Sequence, residues 1–207
     1  MDLLELKKEQ LRLAPRITLK DSFSKFNTIG GADCVQIGNK LLATVVVCSF
    51  PSLELKEKKT FILPDPLPYR PGFSAYREMP AIIEAFNLLD EEPDILLVKS
   101  PGIIHPRKFG MASHLGLALN KSTIGVTEKI LVGKVEKGKV LVRDEIVGFE
   151  IKTKEHARPL YISPGHQIAI GSVLNIIPKT IKFPHKLPEP LHIAHKIAKK
   201  KAKRLVE

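Results

Sequence analysis

TIGGADCVQIGNKLLATVVVCSF, residues 28–50, reads as a β-hairpin, and the rest of the chain is organised around it. Thr28 to Ile37 forms a first strand in which Gly30 and Gly31 leave the backbone bare. Gly38-Asn39 is a short turn signal. Leu41 to Phe50 is nearly all apolar, as expected of a strand buried on both faces. Asp33 lies inside the otherwise apolar first strand, where a carboxylate is costly to bury unless it is paired or metal-bound.

Working outward, Lys59 to Leu63 reads as a third strand, followed by a proline-rich loop from Pro64 to Pro71. Ser74 to Leu89 reads as a helix with Ala75, Met79, Ile82, Ile83 and Phe86 on its apolar stripe. A short apolar strand, Asp94 to Val98, leads through a Gly/Pro loop, Ser100 to Gly110, into a helix over Met111 to Leu119. Ser122 to Val126 is another strand, Lys134 to Lys154 carries hairpin strands around Lys137-Gly138, and Leu160 to Ile162 is a strand. A helix is expected after Ser163-Pro-Gly-His166. The last helix starts near Pro188-Glu-Pro190 and runs into a basic tail. Before the hairpin, Met1 to Leu13 reads as an amphipathic helix ended by Pro15. A hairpin followed by strand–helix–strand–helix units argues for α/β with a mixed sheet.

The length of 207 residues suits one domain or at most two small ones, and 43 % hydrophobic residues suffice for a packed core. A membrane span needs about 20 apolar residues in a row. The longest run, Leu41 to Cys48, includes Thr44 and is far shorter, so no membrane partner is expected. Charges alternate through Met1 to Leu13, so the apolar centre of a secretory signal is missing and the cytoplasm is the default compartment. Cys34 and Cys48 make neither a disulfide framework nor a zinc site alone and read as buried strand thiols. The net charge is +11, and Lys196 to Glu207 holds six cations against one anion. Such an excess favours a polyanion such as nucleic acid, although a lysine run is also an ordinary solvated face. Trp is absent and aromatics are 6 %, so any stacking on bases rests on few residues. P-loop, GxGxxG, GxSxG and HExxH patterns do not occur.

Functional side chains of open α/β sheets gather where strands end and loops begin. Asp33 and Lys99 sit on or just after strands, and Glu78 lies in the first turns of the helix after the proline loop. For Glu78 the plain alternative is surface pairing with Arg77. His105-Pro-Arg107-Lys108 is a compact basic cluster. His192 and His195, one turn apart, either share a metal or mark a solvated helix face, the commoner arrangement. Tyr69 between prolines is a rigid wedge or simply loop packing.

Taken in order, six motifs resemble the endonuclease V family, nucleases acting on deaminated purines. Pro68-Tyr69-Arg70-Pro71-Gly72 looks like its PYxPG wedge, and Tyr76-Arg77-Glu78 is similar to its FRE. Asp94 to Gly102, followed by HPRKFGMASHLG from His105 to Gly116, looks like its PD-strand and HPRxxGxASHLG block. Ser122 to Val126 resembles PTIGV, Tyr161 to His166 resembles VSPGH, and Pro188-Glu-Pro190 with Ala194-His195 resembles PEPTRLAH. The resemblance implies a ribonuclease H-like mixed five-stranded sheet flanked by helices; the domain is expected to span 1–187, with 188–207 as a C-terminal helix and basic tail, and the protein to be a monomer. It also implies acids holding Mg²⁺, or Mn²⁺, which activates a water to attack a phosphodiester of DNA or RNA. Asp33 and Glu78 match the metal-holding acids, and His195 matches the residue of the last helix near the metal. Tyr69, flanked by Pro68 and by Arg70-Pro71, matches the wedge, and Gly72, Ser74, Gly102, His105 and Gly110 match positions around a flipped base. Arg107, Lys108 and the tail are candidates for phosphate contacts.

Two positions depart from the family pattern. Lys99 stands where the family has a metal-binding Asp, and Thr127-Glu128 stands where it has Ala-Lys. Asp94, five residues earlier on the opposite strand face, is no substitute. With Lys99, the formal charge of the cluster Asp33, Glu78 and position 99 goes from −3 to −1. An ammonium within about 4 Å of a metal costs several kcal/mol, so Lys99 is expected to pair with Asp33 and take the cation's place. Alternatively Lys99 and Glu128 form a compensating ion pair, with Glu128 offering a carboxylate to a rearranged metal. The expected function is recognition of inosine with weak or altered hydrolysis, the alternative a catalytically inactive nucleic-acid-binding homologue. A protein-interaction module on the same scaffold is a third class, disfavoured by the basic charge.

Overall fold

The 28–50 hairpin forms as two ten-residue strands, β1 (Thr28–Ile37) and β2 (Lys40–Ser49), paired antiparallel from Thr28 opposite Ser49 to Ile37 opposite Lys40. The computed structural model describes residues 2–205; Met1 and the last two residues of the expected tail lie outside them. Leu41 to Cys48 of β2 is buried throughout, as a continuous apolar run requires. The third strand, β3 (Leu55–Pro64), is longer than the 59–63 expected, because its lysines and glutamates lie along the outer edge of the sheet while its backbone pairs with β2.

β4 (Ile95–Val98) and β5 (Ser122–Thr127) join β1 in parallel, with Ile29 opposite Ile95 and Ile95 opposite Ser122. Of the helices, α1 (Leu3–Leu13) precedes the sheet in sequence. Helices α2 (Ser74–Asn87) and α3 (Met111–Leu119) cover one face, where Ile82, Phe86 and Leu115 pack with Leu96 and Val98. The short α4 (Ile170–Ile176) and the long α5 (Glu189–Arg204) cover the other, where Val173, Leu191 and Ala194 pack with Ile29, Leu97 and Ile124. Among the described residues no helix is long and apolar enough to cross a membrane.

The strand number differs from the expectation. The strands β6 (Lys134–Glu136), β7 (Lys139–Val142), β8 (Glu145–Ile151) and β9 (Leu160–His166) belong to the same sheet, whose nine strands run β3-β2-β1-β4-β5-β9-β8-β7-β6. The first five are the expected mixed unit. The rest extend it from β5, whose free backbone groups would otherwise form an unpaired edge inside the molecule. The helix expected after Ser163-Pro-Gly-His166 is α4, while that segment itself continues the strand, with Pro164 opposite Ile124 beside a break in register, where a proline is tolerated.

Two local features position the site. A Cβ on Gly31 would stand 2.4 and 2.5 Å from the Pro190 carbonyl carbon and oxygen, so only glycine lets the first turn of α5 cross β1 this closely. At the start of β1, the Asp94 carboxylate accepts from Asn27 N, Thr28 N and Thr28 Oγ1, each at 2.9 Å, which ties it to strand ends away from Lys99.

Candidate active site

Asp33 is 5 % exposed in the middle of β1. The Lys99 backbone N–H donates to Ala32 O at 3.1 Å, continuing the β1–β4 pairing by one residue and setting the two side chains next to each other. Lys99 Nζ lies 3.2 Å from Asp33 Oδ2, and His195 Nδ1, carried by α5, lies 2.5 Å from the same oxygen. Nζ and Nδ1 are 3.1 Å apart. A ring nitrogen that close to a carboxylate oxygen must carry a proton, so His195 donates to Asp33 through Nδ1 and Lys99 donates beside it. Two donors therefore converge on one buried acceptor oxygen.

Glu78, half-buried on α2, has its carboxyl pushed up to about 7, by burial first and then by the Asp33 charge, against opposing pulls from Arg77 and Lys99. The surface pair with Arg77 is not made. Arg77 donates to the Leu67 carbonyl at 2.6 Å and to Gln36. The acids as placed do not fit a divalent cation: Asp33 Oδ2 is already held by Lys99 and His195, and Glu78 is only about half ionised near neutrality, whereas Mg²⁺ needs several free, ionised oxygens. The alternative ion pair, Lys99–Glu128, is not formed either. Glu128 Oε1 pairs with Lys186 Nζ at 3.3 Å, and Lys99 goes instead to the buried Asp33, where the dielectric is lower and the attraction stronger. His192 and His195 do not share a site: the His192 ring stacks on His185 at 3.5 Å, and His185 contacts Glu189 at 2.6 Å.

A cleft of about 390 Å³ opens above this cluster, lined by Tyr69, Gly72, Ser74, Glu78, Lys99 and Glu128 among others. Pro68, Tyr69, Arg70 and Pro71 are exposed at its rim, Tyr69 by 59 %. Gly72, at φ +77°, turns the chain into α2 and aims its carbonyl inward. That carbonyl accepts from Gln10 Nε2 at 3.1 Å, His105 Nε2 at 3.1 Å and Arg107 Nη2 at 2.8 Å. His105 Nδ1 accepts from the Arg107 N–H at 3.3 Å, which fixes the tautomer that donates through Nε2. Burial, reinforced by Arg107, pushes the His105 pKa down to about 4, so the ring is neutral.

Several expected contacts are placed differently. The Arg107 guanidinium, read as a phosphate contact, is turned inward: it also donates to Gln10 Oε1 at 2.5 Å and lies 4.5 Å over the Phe73 ring. Lys108 pairs with Glu145. Gly102 and Gly110 bond each other, Gly110 N to Gly102 O at 2.9 Å, and shape the loop rather than line the cleft. Gln10, 1 % exposed on α1, was not legible as part of this site: its partners lie 62 and 97 residues away.

The mixed sheet flanked by helices, with an acid in the middle of β1 and a cleft over the ends of β4 and β5, defines an α/β protein of the ribonuclease H-like fold class. A sequence model of the family Endonuclease V matches residues 11–196, and the chain belongs to that family. It is 36 % identical over 204 residues to Endonuclease V of Dictyoglomus turgidum, covering 95 % of this chain and 89 % of that protein. Endonuclease V of Bacillus subtilis superposes with a TM-score of 0.90 at 26 % identity, covering 99 % of this chain and 94 % of that one. Endonuclease V of Ciona intestinalis, solved with a 24mer DNA containing an inosine followed by a ribo-adenosine, shares the fold with a TM-score of 0.88 at 24 % identity, over 98 % of each chain.

Proposed function

We propose that this protein recognises a deaminated purine, inosine, in DNA or RNA, and that its metal-dependent hydrolysis of the phosphodiester is weak or lost. The observation that carries the reading is Lys99 Nζ at 3.2 Å from Asp33 Oδ2. The ammonium stands where a divalent ion would need that oxygen, so hydrolysis is weakened while the cleft around it is kept. Recognition is supported by the fixed rim. Three donors on the Gly72 carbonyl hold the turn beneath Tyr69, whose exposed ring offers a flat apolar surface to an unstacked neighbour. The cleft volume is in the range of small-ligand sites, enough for one base lifted out of its stack. The family membership and the inosine-containing DNA held by the Ciona relative point to the same substrate class.

The test uses single- and double-stranded oligonucleotides carrying one inosine, with adenosine controls, and reads binding and nicking on the same samples with Mg²⁺ or Mn²⁺. Inosine-selective binding with little or no nicking is expected. Rapid metal-dependent nicking near the inosine overturns the catalytic half of the reading, and equal affinity for both oligonucleotides overturns recognition. Tyr69→Ala is expected to weaken inosine binding more than control binding, by at least about 1 kcal/mol, the lower end of what stacking a base on an aromatic ring contributes. Equal losses on both would remove the wedge role.

A further inference from the structure

The cations around the cleft are unequally available. Arg107 is held at the Gly72 carbonyl and on Gln10, and Lys108 is held by Glu145. Lys99 and Lys129 line the cleft itself. Lys99 is anchored at its base by Asp33, and its side chain remains 26 % exposed. An ammonium has three N–H groups and no acceptor. One is committed to Asp33 Oδ2; His195 Nδ1, itself a donor to that oxygen, takes none of the others. Because the side chain lines the cleft and is partly exposed, the others are available to a ligand there. The Asp33 carboxylate is thus neutralised from within the chain, and a second cation approaching Oδ2 meets the ammonium first.

We infer that the Lys99 ammonium is the resident cation of this cleft, neutralising Asp33 in place of a divalent metal ion and presenting its remaining N–H groups to a phosphate of the bound nucleic acid, so that binding is independent of divalent metal. Its phosphate half rests on the function proposed above. A lysine suits this role because it binds phosphate as a compact point charge and, unlike a metal ion, cannot be removed by a chelator.

The first arm follows Mn²⁺ by electron paramagnetic resonance on the metal-free full-length protein, without nucleic acid. The wild type is expected to hold no Mn²⁺ at sub-millimolar concentration, and Lys99→Asp, checked for folding by circular dichroism, is expected to gain one site. A stoichiometric Mn²⁺ site in the wild type overturns the inference, as does a folded Lys99→Asp that gains none. If that variant does not fold, the wild-type titration still decides. The second arm compares the affinity for an inosine-containing single strand in chelator and in Mg²⁺ at matched ionic strength. Values within about twofold are expected, a difference well under the 1.4 kcal/mol of a tenfold change. Lys99→Met is expected to reduce the slope of log affinity against log salt by about 0.7, the share of one neutralised phosphate on a single strand. Inosine preference that appears only with Mg²⁺ overturns the inference and leaves the proposed function standing. Loss of preference in both buffers removes the proposed function, and the phosphate contact with it, while the Mn²⁺ arm still judges the resident cation.

Discussion

Glu78 and His105 are pushed in opposite directions by one shared cause, burial, because one is an acid and the other a base. Glu78 rises from 4.5 to about 7, and His105 falls from 6.5 to about 4. The folded protein keeps the Glu78 proton where the unfolded chain has released it. This contribution to stability is therefore full below pH 4.5 and is lost as pH rises to about 7, a span worth about 2–3 kcal/mol. His105 works the other way: the folded state excludes its second proton, so its contribution is full above pH 6.5 and is lost as pH falls to about 4. Between pH 4.5 and 6.5 the two slopes oppose each other. Glu78→Gln is expected to remove the falling slope and expose the rising one, so that the urea midpoint of the variant increases over that window while the wild type stays nearly level. Above pH 7 the variant is expected to be more stable than the wild type by about 2 kcal/mol. Parallel pH profiles for the two proteins would show that Glu78 is solvated and ionised as an ordinary surface acid.

At the scale of elements, the crossing of β1 and α5 decides whether His195 reaches Asp33. The atoms that a Gly31 Cβ would meet belong to the backbone of Pro190 and Leu191, so no rotamer change relieves the clash. Gly31→Ala is expected to cost about 1–3 kcal/mol, as overpacking does, and to lower Tm by several degrees for a chain of this size. Gly171→Ala is the control: on α4 nothing lies within 4 Å of the added Cβ, and alanine is the better helix former. Equal, near-zero effects of the two substitutions would mean that the crossing is loose. These elements are legible in the sequence to different degrees. The run Leu41–Cys48 identifies a strand by itself, since only burial on both faces tolerates eight such residues, and the apolar stripe from Ala75 to Phe86 does the same for α2. Only the first half of β9 is legible, because Ser163-Pro-Gly-His166 has the composition of a turn and is strand only through its pairing with β5. The hairpins after Lys134 are visible, but their joining of the same sheet is not, since that depends on which edge β5 leaves open. In the site, Asp33 stands out as a charge in an apolar strand, whereas the meeting of Lys99, Asp33 and His195 joins positions 66 and 162 residues apart and follows only from the family resemblance.

For the whole molecule, the question is where the net charge of +11 acts. The last helix crosses the sheet from β1 toward β3: Pro190 lies on Gly31, His195 on Asp33, and Lys201 Nζ reaches Thr60 Oγ1 at 2.5 Å. Asp33 pairs with Thr44, and Thr44 with Thr60, so the basic end of the helix lies over β3, two strands beyond the acid. The exposed Lys199, Lys200 and Arg204 are carried by that end of the helix and are not among the residues that line the cleft. Cations in that position attract the phosphate backbone, which is identical in inosine and adenosine strands, and cannot read the base. Replacing Lys199, Lys200 and Arg204 together with glutamine is expected to weaken binding to both strands in parallel. The salt slope should fall by up to about 2, at about 0.7 for each phosphate no longer neutralised, and the inosine-to-adenosine affinity ratio should stay constant. Fluorescence anisotropy over a salt series measures both quantities at once. A ratio that changes with the tail would place the tail on the path of the recognised base. A constant ratio with a reduced slope would divide the labour, with general attraction at the far end of the last helix and selection at the cleft, where Lys99 supplies a cation anchored on Asp33.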